Sequence, residues 1–135
     1  MKETNALNQV AEFHTLFGAP ILDKPTLIPP NRSYLRLELL QEELDELRDA
    51  VREDNIIGVA DALADLQYVL SGAVLEFGLG SRFKDLFDEV HRSNMSKACV
   101  DLKEAADTKE KYAKEGVETY FKEVDGTYLV YRAYD

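Results

Sequence analysis

The chain places carboxylates in two neighbouring segments at spacings that suit a divalent cation. The first segment runs Glu38-Leu39-Leu40-Gln41-Glu42-Glu43-Leu44-Asp45-Glu46-Leu47, and the second runs Val59-Ala60-Asp61-Ala62-Leu63-Ala64-Asp65-Leu66-Gln67-Tyr68. Glu42 and Glu46 are four apart and Glu43 and Glu46 three apart, so each pair shares one face of a helix. Asp61 and Asp65 are also four apart, and Tyr68 continues their stripe. The neighbours of both aspartates are almost all Ala, Leu or Val. Taking an unpaired carboxylate out of water costs roughly several kcal/mol, so a cation is expected to meet this pair. Hard oxygen donors suit Mg²⁺, with Mn²⁺ as an alternative. No His or Cys falls in the cluster, which disfavours zinc. A glutamate-rich helix face is ordinarily just solvated, and Glu38, Asp49 and Glu53 are read that way. The facing aspartates set the remaining acids apart.

A cation held by carboxylates calls for an anionic ligand. Glu89-Val90-His91-Arg92-Ser93-Asn94-Met95-Ser96-Lys97 brings His91, Arg92, Asn94 and Lys97 into seven residues. Arg and Lys suit phosphate oxygens, and Asn suits a base or sugar edge. Basic residues at a helix C-terminus also complement the macrodipole. That accounts for His91 and Arg92 but not for Asn94 or Lys97. His14 reads as a boundary residue among packing positions, Tyr34 and Arg36 as surface, and Cys99 as an unactivated thiol.

These groups need helices to position them. Residues 4–17 read as a first helix, capped by Thr4 or Asn5 and ended by Gly18 and Pro20. Residues 18–32 hold four prolines and are long for a connection, which marks a lid or a wrapping loop. A second helix is expected from about Ser33 to Glu53, with Leu37, Leu40, Leu44, Leu47 and Val51 as one apolar seam. Asp54-Asn55 breaks and recaps the chain. A third helix, about 55–77, is apolar nearly all round and therefore central. The connection between the second and third is short, so they should pack as antiparallel neighbours with both acid sets at similar depth. Ser81 is expected to cap a fourth helix to about Ser93, with Phe83, Leu86, Phe87 and Val90 inside. Residues 101–115 read as a polar helix ended by Gly116. The tail then switches to period two around Asp125-Gly126, which predicts a β-hairpin with a two-residue turn. Such a hairpin is marginal alone and should dock on helices or on another subunit.

At 135 residues the sequence suggests one domain, 1–135, with a helical core over 4–97 and a C-terminal helix and hairpin over 101–135. The net charge of −10 argues against binding nucleic acid or an anionic membrane surface. One cysteine excludes an intrachain disulfide framework. No signal-peptide pattern is read, and the two aspartates interrupt the longest apolar run, so neither secretion nor a membrane span is expected. A cytoplasmic location follows as the plain expectation.

On these residues the chain resembles the all-α nucleoside triphosphate pyrophosphatases, which include MazG-like enzymes, dimeric dUTPases and phosphoribosyl-ATP pyrophosphohydrolases. Their signature is Glu-Glu-x-x-Glu on one helix and Glu-x-x-Asp on the next. The first half is complete at Glu42-Glu43-Leu44-Asp45-Glu46. The second ends at Asp65, but Ala62 stands where the signature has Glu, with Asp61 as the expected substitute. The stretch from Val90 to Lys97, with Phe13-His14 and Phe17-Gly18, is similar to a MazG-like subgroup near the phosphoribosyl-ATP enzymes. The resemblance covers about residues 8–97. It implies an all-α MazG-like bundle of four to five helices with a small C-terminal β-hairpin, assembled as a homodimer or homotetramer. It also implies that a further basic stretch, common in such members, is lacking here.

The implied reaction is Mg²⁺-dependent cleavage between the α- and β-phosphates of a nucleotide, giving a monophosphate and pyrophosphate. Candidate substrates are dUTP, dCTP or non-standard nucleotides. By match to the motif, Glu43, Glu46 and Asp65 would be metal ligands, Asp61 a fourth, and Glu42 a general base or second-metal ligand. Tyr68, His91, Arg92, Asn94 and Lys97 would contact substrate. The alternatives are a phosphoribosyl-ATP pyrophosphohydrolase and, from another class, an inactive nucleotide-binding or dimerisation module. The Ala62 departure is the best argument for the inactive module.

Overall fold

A computed structural model describes residues 1–133 of the chain. It is mostly helical, with a small antiparallel sheet near the C-terminus. It divides into two compact units, Met1–Phe83 and Lys84–Asp135. The division falls one residue into the fourth helix, whereas the sequence predicts that helix as part of the 4–97 core.

The first unit contains α1 (Ala6–Phe17), α2 (Pro30–Arg52) and α3 (Ile56–Glu76). α1 ends at Gly18, whose φ of 72° lets its N–H turn back toward the His14 carbonyl. α2 begins three residues earlier than expected because Pro30 sits in its first turn, where a missing N–H costs nothing. The turn to α3 is closed by Asp54 at a φ of 50° and by the Asn55 side chain, which accepts from the Gly58 N–H at 3.0 Å. α3 packs on both α1 and α2 and is central, as its all-round apolar character implies.

Residues 18–29 wrap the C-terminal end of α3. Leu22 N–H donates to the Leu75 carbonyl at 3.1 Å and Thr26 N–H to the Phe77 carbonyl at 2.9 Å, while Ile28 is buried. Gly78 is required at the end of α3: its φ is 74°, and a Cβ there would run into the Lys24 carbonyl.

Burial in this unit is densest at one end, where residues 71–76 are all buried with Ile28 and Arg36, and Ala50 and Ala62 are buried nearer the α2–α3 turn. The expected α2 seam is not buried within the chain, since Leu37, Leu44 and Val51 are exposed, as are Ile56, Ile57 and Leu63 on α3. By length and composition alone α3 could cross a membrane, contrary to the reading drawn from its aspartates. Asp65 nevertheless approaches two further carboxylates, a grouping that hydrocarbon would penalise.

Glu76 was not anticipated as a structural residue. It is 1% exposed and receives three hydrogen bonds from two arginines. Those bonds, the Arg32 bond foremost, hold its carboxyl below the ordinary glutamate value against the opposing effect of burial. A depressed folded pKa means the contribution is complete above about pH 4.3, the unfolded value. It is lost as pH falls through the lower folded value. Thermal midpoints from pH 7 to pH 3 should therefore drop, and Glu76→Ala should cost about 3 kcal/mol at pH 7 because it strands the buried Arg36 guanidinium and unpairs the half-buried Arg32. Equal stability of wild type and variant in denaturant titrations at pH 7 would refute this.

The second unit contains α4 (beginning at Phe83 and running to Met95), β1 (Ala98–Cys99), α5 (Leu102–Lys114), β2 (Thr119–Val124) and β3 (Thr127–Arg132). A short 3₁₀ turn, Gly80–Arg82, precedes α4, and Ser81 lies inside it instead of capping the helix. The Asp125-Gly126 turn has positive φ at both residues, 48° and 78°, as the hairpin pattern requires. β3 is the middle strand, with β2 paired Thr119 to Arg132 through Val124 to Thr127, and β1 on its other edge. The sheet packs on α5 around Cys99, Ala105 and Val130. Leu86, Phe87 and Val90 of α4 are exposed, not inside as expected. Their amphipathic pattern is clear, but none of these three apolar residues is covered within the chain.

Candidate metal centre

Three carboxylates meet between α2 and α3. Glu43, Glu46 and Asp65 each offer an oxygen lying within 4.8 Å of the others. The three-residue step brings Glu43 and Glu46 to one face of α2. The short turn at Glu53–Asn55 folds α3 back so that Asp65 comes opposite them. Glu43 and Asp65 are half-buried and Glu46 is exposed, which gives a centre with a closed side and an open side.

Three carboxylates this close repel one another. Burial pushes the Glu43 carboxyl above its ordinary value, and the negative charges of Glu46 and Asp65 add to the effect. Its Oε2 atom is buried with no hydrogen-bond partner. Buried polar atoms are nearly always paired, so an oxygen with no protein partner beside two more carboxylates is chemically suited to a cation. The donor set is all oxygen and fits Mg²⁺ or Mn²⁺ better than a soft metal.

Glu42 and Asp61 do not join the trio. Both are exposed. Asp61 lies about 100° round the helix from Ala62, and it is Ala62, 2% exposed, that is buried in the helix packing. The expectation that Asp61 sits in an apolar core therefore fails, because the first half of α3 is largely uncovered in the chain. Tyr68 is 42% exposed and stands edge-on to Phe13, ring centroids 5.8 Å apart. Phe13 in turn stacks on Phe17.

The candidate substrate residues His91, Arg92, Asn94 and Lys97 belong to the second unit. His91 is exposed. Arg92 is exposed and held by Glu89 through bonds of 2.8 and 2.6 Å from Nε and Nη2, which leave its Nη1 edge for an incoming phosphate. Lys97 donates to Asn94 at 3.5 Å and lies 5.7 Å from the Tyr112 ring centroid.

Two residues were misread. Arg36 is 7% exposed and not a surface residue, because its Nε donates to Glu76 Oε1 at 2.7 Å. His14 is 4% exposed, with Nδ1 2.9 Å from the Pro20 carbonyl. The signal for Glu76 was present in the sequence: an acid directly after Ala73-Val74-Leu75, the same pattern that drew attention to Asp65.

Comparison with known proteins points the same way as the acid motif. The family model described as phosphoribosyl-ATP pyrophosphohydrolase matches residues 10–94. The chain is also similar to an uncharacterized protein of Acanthamoeba polyphaga mimivirus, 34% identical over 104 residues. That match takes in 71% of this chain but only 39% of the viral protein, so the chain spans about two-fifths of that relative's length.

Proposed function

We propose, from the premise that the chain belongs to the phosphoribosyl-ATP pyrophosphohydrolase family of the MazG-like all-α superfamily, that it is a Mg²⁺-dependent nucleoside triphosphate pyrophosphohydrolase. Its products would be a nucleoside monophosphate and pyrophosphate. The observation that carries this reading is the convergence of Glu43, Glu46 and Asp65 around the unpartnered Glu43 oxygen. These three would hold the ion, which when bound supplies positive charge against the substrate phosphates and lowers the cost of ionising water.

The chain's own residues supply the rest. Glu42 neighbours the centre in sequence and is exposed, so it is available to take a proton from the attacking water. Asp61 is retained only as a ligand recruited on binding. Tyr68, His91, Arg92, Asn94 and Lys97 are assigned to substrate contact, with the guanidinium and ammonium groups on phosphate oxygens. A cytoplasmic homodimer or homotetramer completes the reading. The uncovered residues Leu37, Leu44, Val51, Ile56, Ile57 and Leu63 support assembly, because a large exposed apolar surface is unusual on a monomer.

Incubating the chain with Mg²⁺ and a panel including dUTP, dCTP, other nucleoside triphosphates and phosphoribosyl-ATP tests the proposal. Pyrophosphate with a monophosphate from dUTP or dCTP is the expected result. Turnover of phosphoribosyl-ATP alone would move the assignment to the alternative named for the family. Orthophosphate, or no product from any substrate, would contradict it.

A further inference from the structure

The points at which α2 and α3 meet follow one repeat. Arg32 bonds Glu76, Arg36 lies against Gly72, Glu43 faces Asp65, and Ala50 lies against Gly58. Up α2 the steps are four, seven and seven residues, and down α3 they are the same. Seven residues are about two helical turns, or about 10 Å of rise. The carboxylate centre thus lies midway between two anchored points, about 10 Å from each.

At one anchor the chain itself sets the register. Asn55 N–H donates to the Ala50 carbonyl at 2.9 Å, and a Cβ on Gly58 would stand only 3.0 Å from the Ala50 Cβ. At the other end of the helix pair the 18–29 segment ties α3 through backbone bonds from Leu22 and Thr26, and side chains link α2 to α3 directly. There Arg32 Nε and Nη2 grip both oxygens of Glu76 at 2.8 Å, and Arg36 Nε adds a third bond at 2.7 Å. Gly72 makes room for this: a Cβ would lie 2.9 Å from Arg36 Nη1 and 3.1 Å from His14 Nε2. Between the anchors, three carboxylates with oxygens within 4.8 Å of one another repel across the helix pair.

We propose that the Arg32–Glu76–Arg36 cluster is a positioning device that clamps α2 to α3 at the end remote from the Asp54–Asn55 turn and holds Glu43 and Glu46 opposite Asp65 against their repulsion. It rests on the reading of that trio as a cation site. Stability alone does not require such a cluster, since buried ion pairs can often be replaced by apolar residues of similar volume without loss. A bidentate guanidinium–carboxylate pair fixes rotation and register in a way that apolar contacts do not.

The test compares the full chain with the apolar variant Arg32→Met/Arg36→Met/Glu76→Leu. Two readouts are needed. Nitroxide labels at Glu38→Cys and Leu70→Cys, both exposed, in a Cys99→Ser background report the helix register by electron–electron distance measurement. Titration with Mn²⁺ alone, followed by its own electron paramagnetic resonance signal, reports the centre. The native cluster should give one narrow distance distribution. The folded apolar variant should broaden or shift it, by up to about 5 Å for a one-turn slip, and should lose at least tenfold in Mn²⁺ affinity. A folded variant with native distance distribution and native Mn²⁺ affinity overturns the proposal. If the triple variant does not fold, Glu76→Gln is measured instead: a broadened distribution with weakened Mn²⁺ binding supports the device, and no change in either overturns it. Should the native chain bind no Mn²⁺ while its register still depends on the cluster, the cation reading falls and the lock between the helices stands.

Discussion

Glu46→Gln should lower divalent-dependent turnover by at least about 100-fold while the chain stays folded. Loss of even an indirect support of a bound metal typically costs 10–100-fold, and Glu46 is placed as a direct ligand. The side chain is exposed, so its removal creates no cavity and should move stability by no more than about 0.5 kcal/mol. It also removes one of the charges that raise the Glu43 carboxyl. The apo variant should therefore be at least as stable as the apo wild type. That combination separates a ligand from a structural residue: activity collapses, stability does not, and the Glu43 titration moves back toward its ordinary range. Undiminished turnover would take Glu46 out of the centre.

The second large effect concerns the ion itself. Mn²⁺ or Mg²⁺ at about a hundred times its dissociation constant should stabilise the first unit by about 2.7 kcal/mol, equivalent to a rise in thermal midpoint of roughly 15 °C for a unit of this size. Chelation with EDTA should reverse it. The pH dependence has a definite sign. Glu43 binds its proton more tightly than an ordinary glutamate, chiefly through burial, and a metal ligand must be deprotonated. Metal affinity should thus be greatest above the raised Glu43 value and fall as pH drops through it. Without metal the same group acts in the opposite sense, since a raised carboxyl pKa favours the folded state at low pH. The rise in midpoint on adding Mn²⁺ should accordingly shrink as pH falls through the raised Glu43 value. A midpoint indifferent to divalent ions at every pH would contradict the account.

The elements that announce themselves locally were legible in the sequence. The Asp125-Gly126 hairpin, the Gly18 helix stop and the Asn55 cap each depend on one or two residues whose conformational preference is strong. The acid motif was legible because three- and four-residue spacing fixes a helix face whatever the tertiary structure. Asp61 was misplaced because periodicity does not say which part of an all-round apolar helix is covered, and the first half of α3 is not. Leu86, Phe87 and Val90 show the same limit: an amphipathic pattern calls for a partner without saying that the chain provides it. The bond between Glu76 and Arg36 spans 40 residues, so no local pattern could pair them, although the acid in an apolar run was visible. β1 has two residues, too few for any period to register.

The account depends most on Glu43, Glu46 and Asp65 sharing one divalent ion. Anomalous diffraction from crystals soaked in Mn²⁺ addresses this directly. The account predicts a peak between α2 and α3, within about 2.5 Å of an oxygen from each of the three. A fully soaked crystal with no peak there, or with Glu43 and Asp65 turned apart, would contradict it.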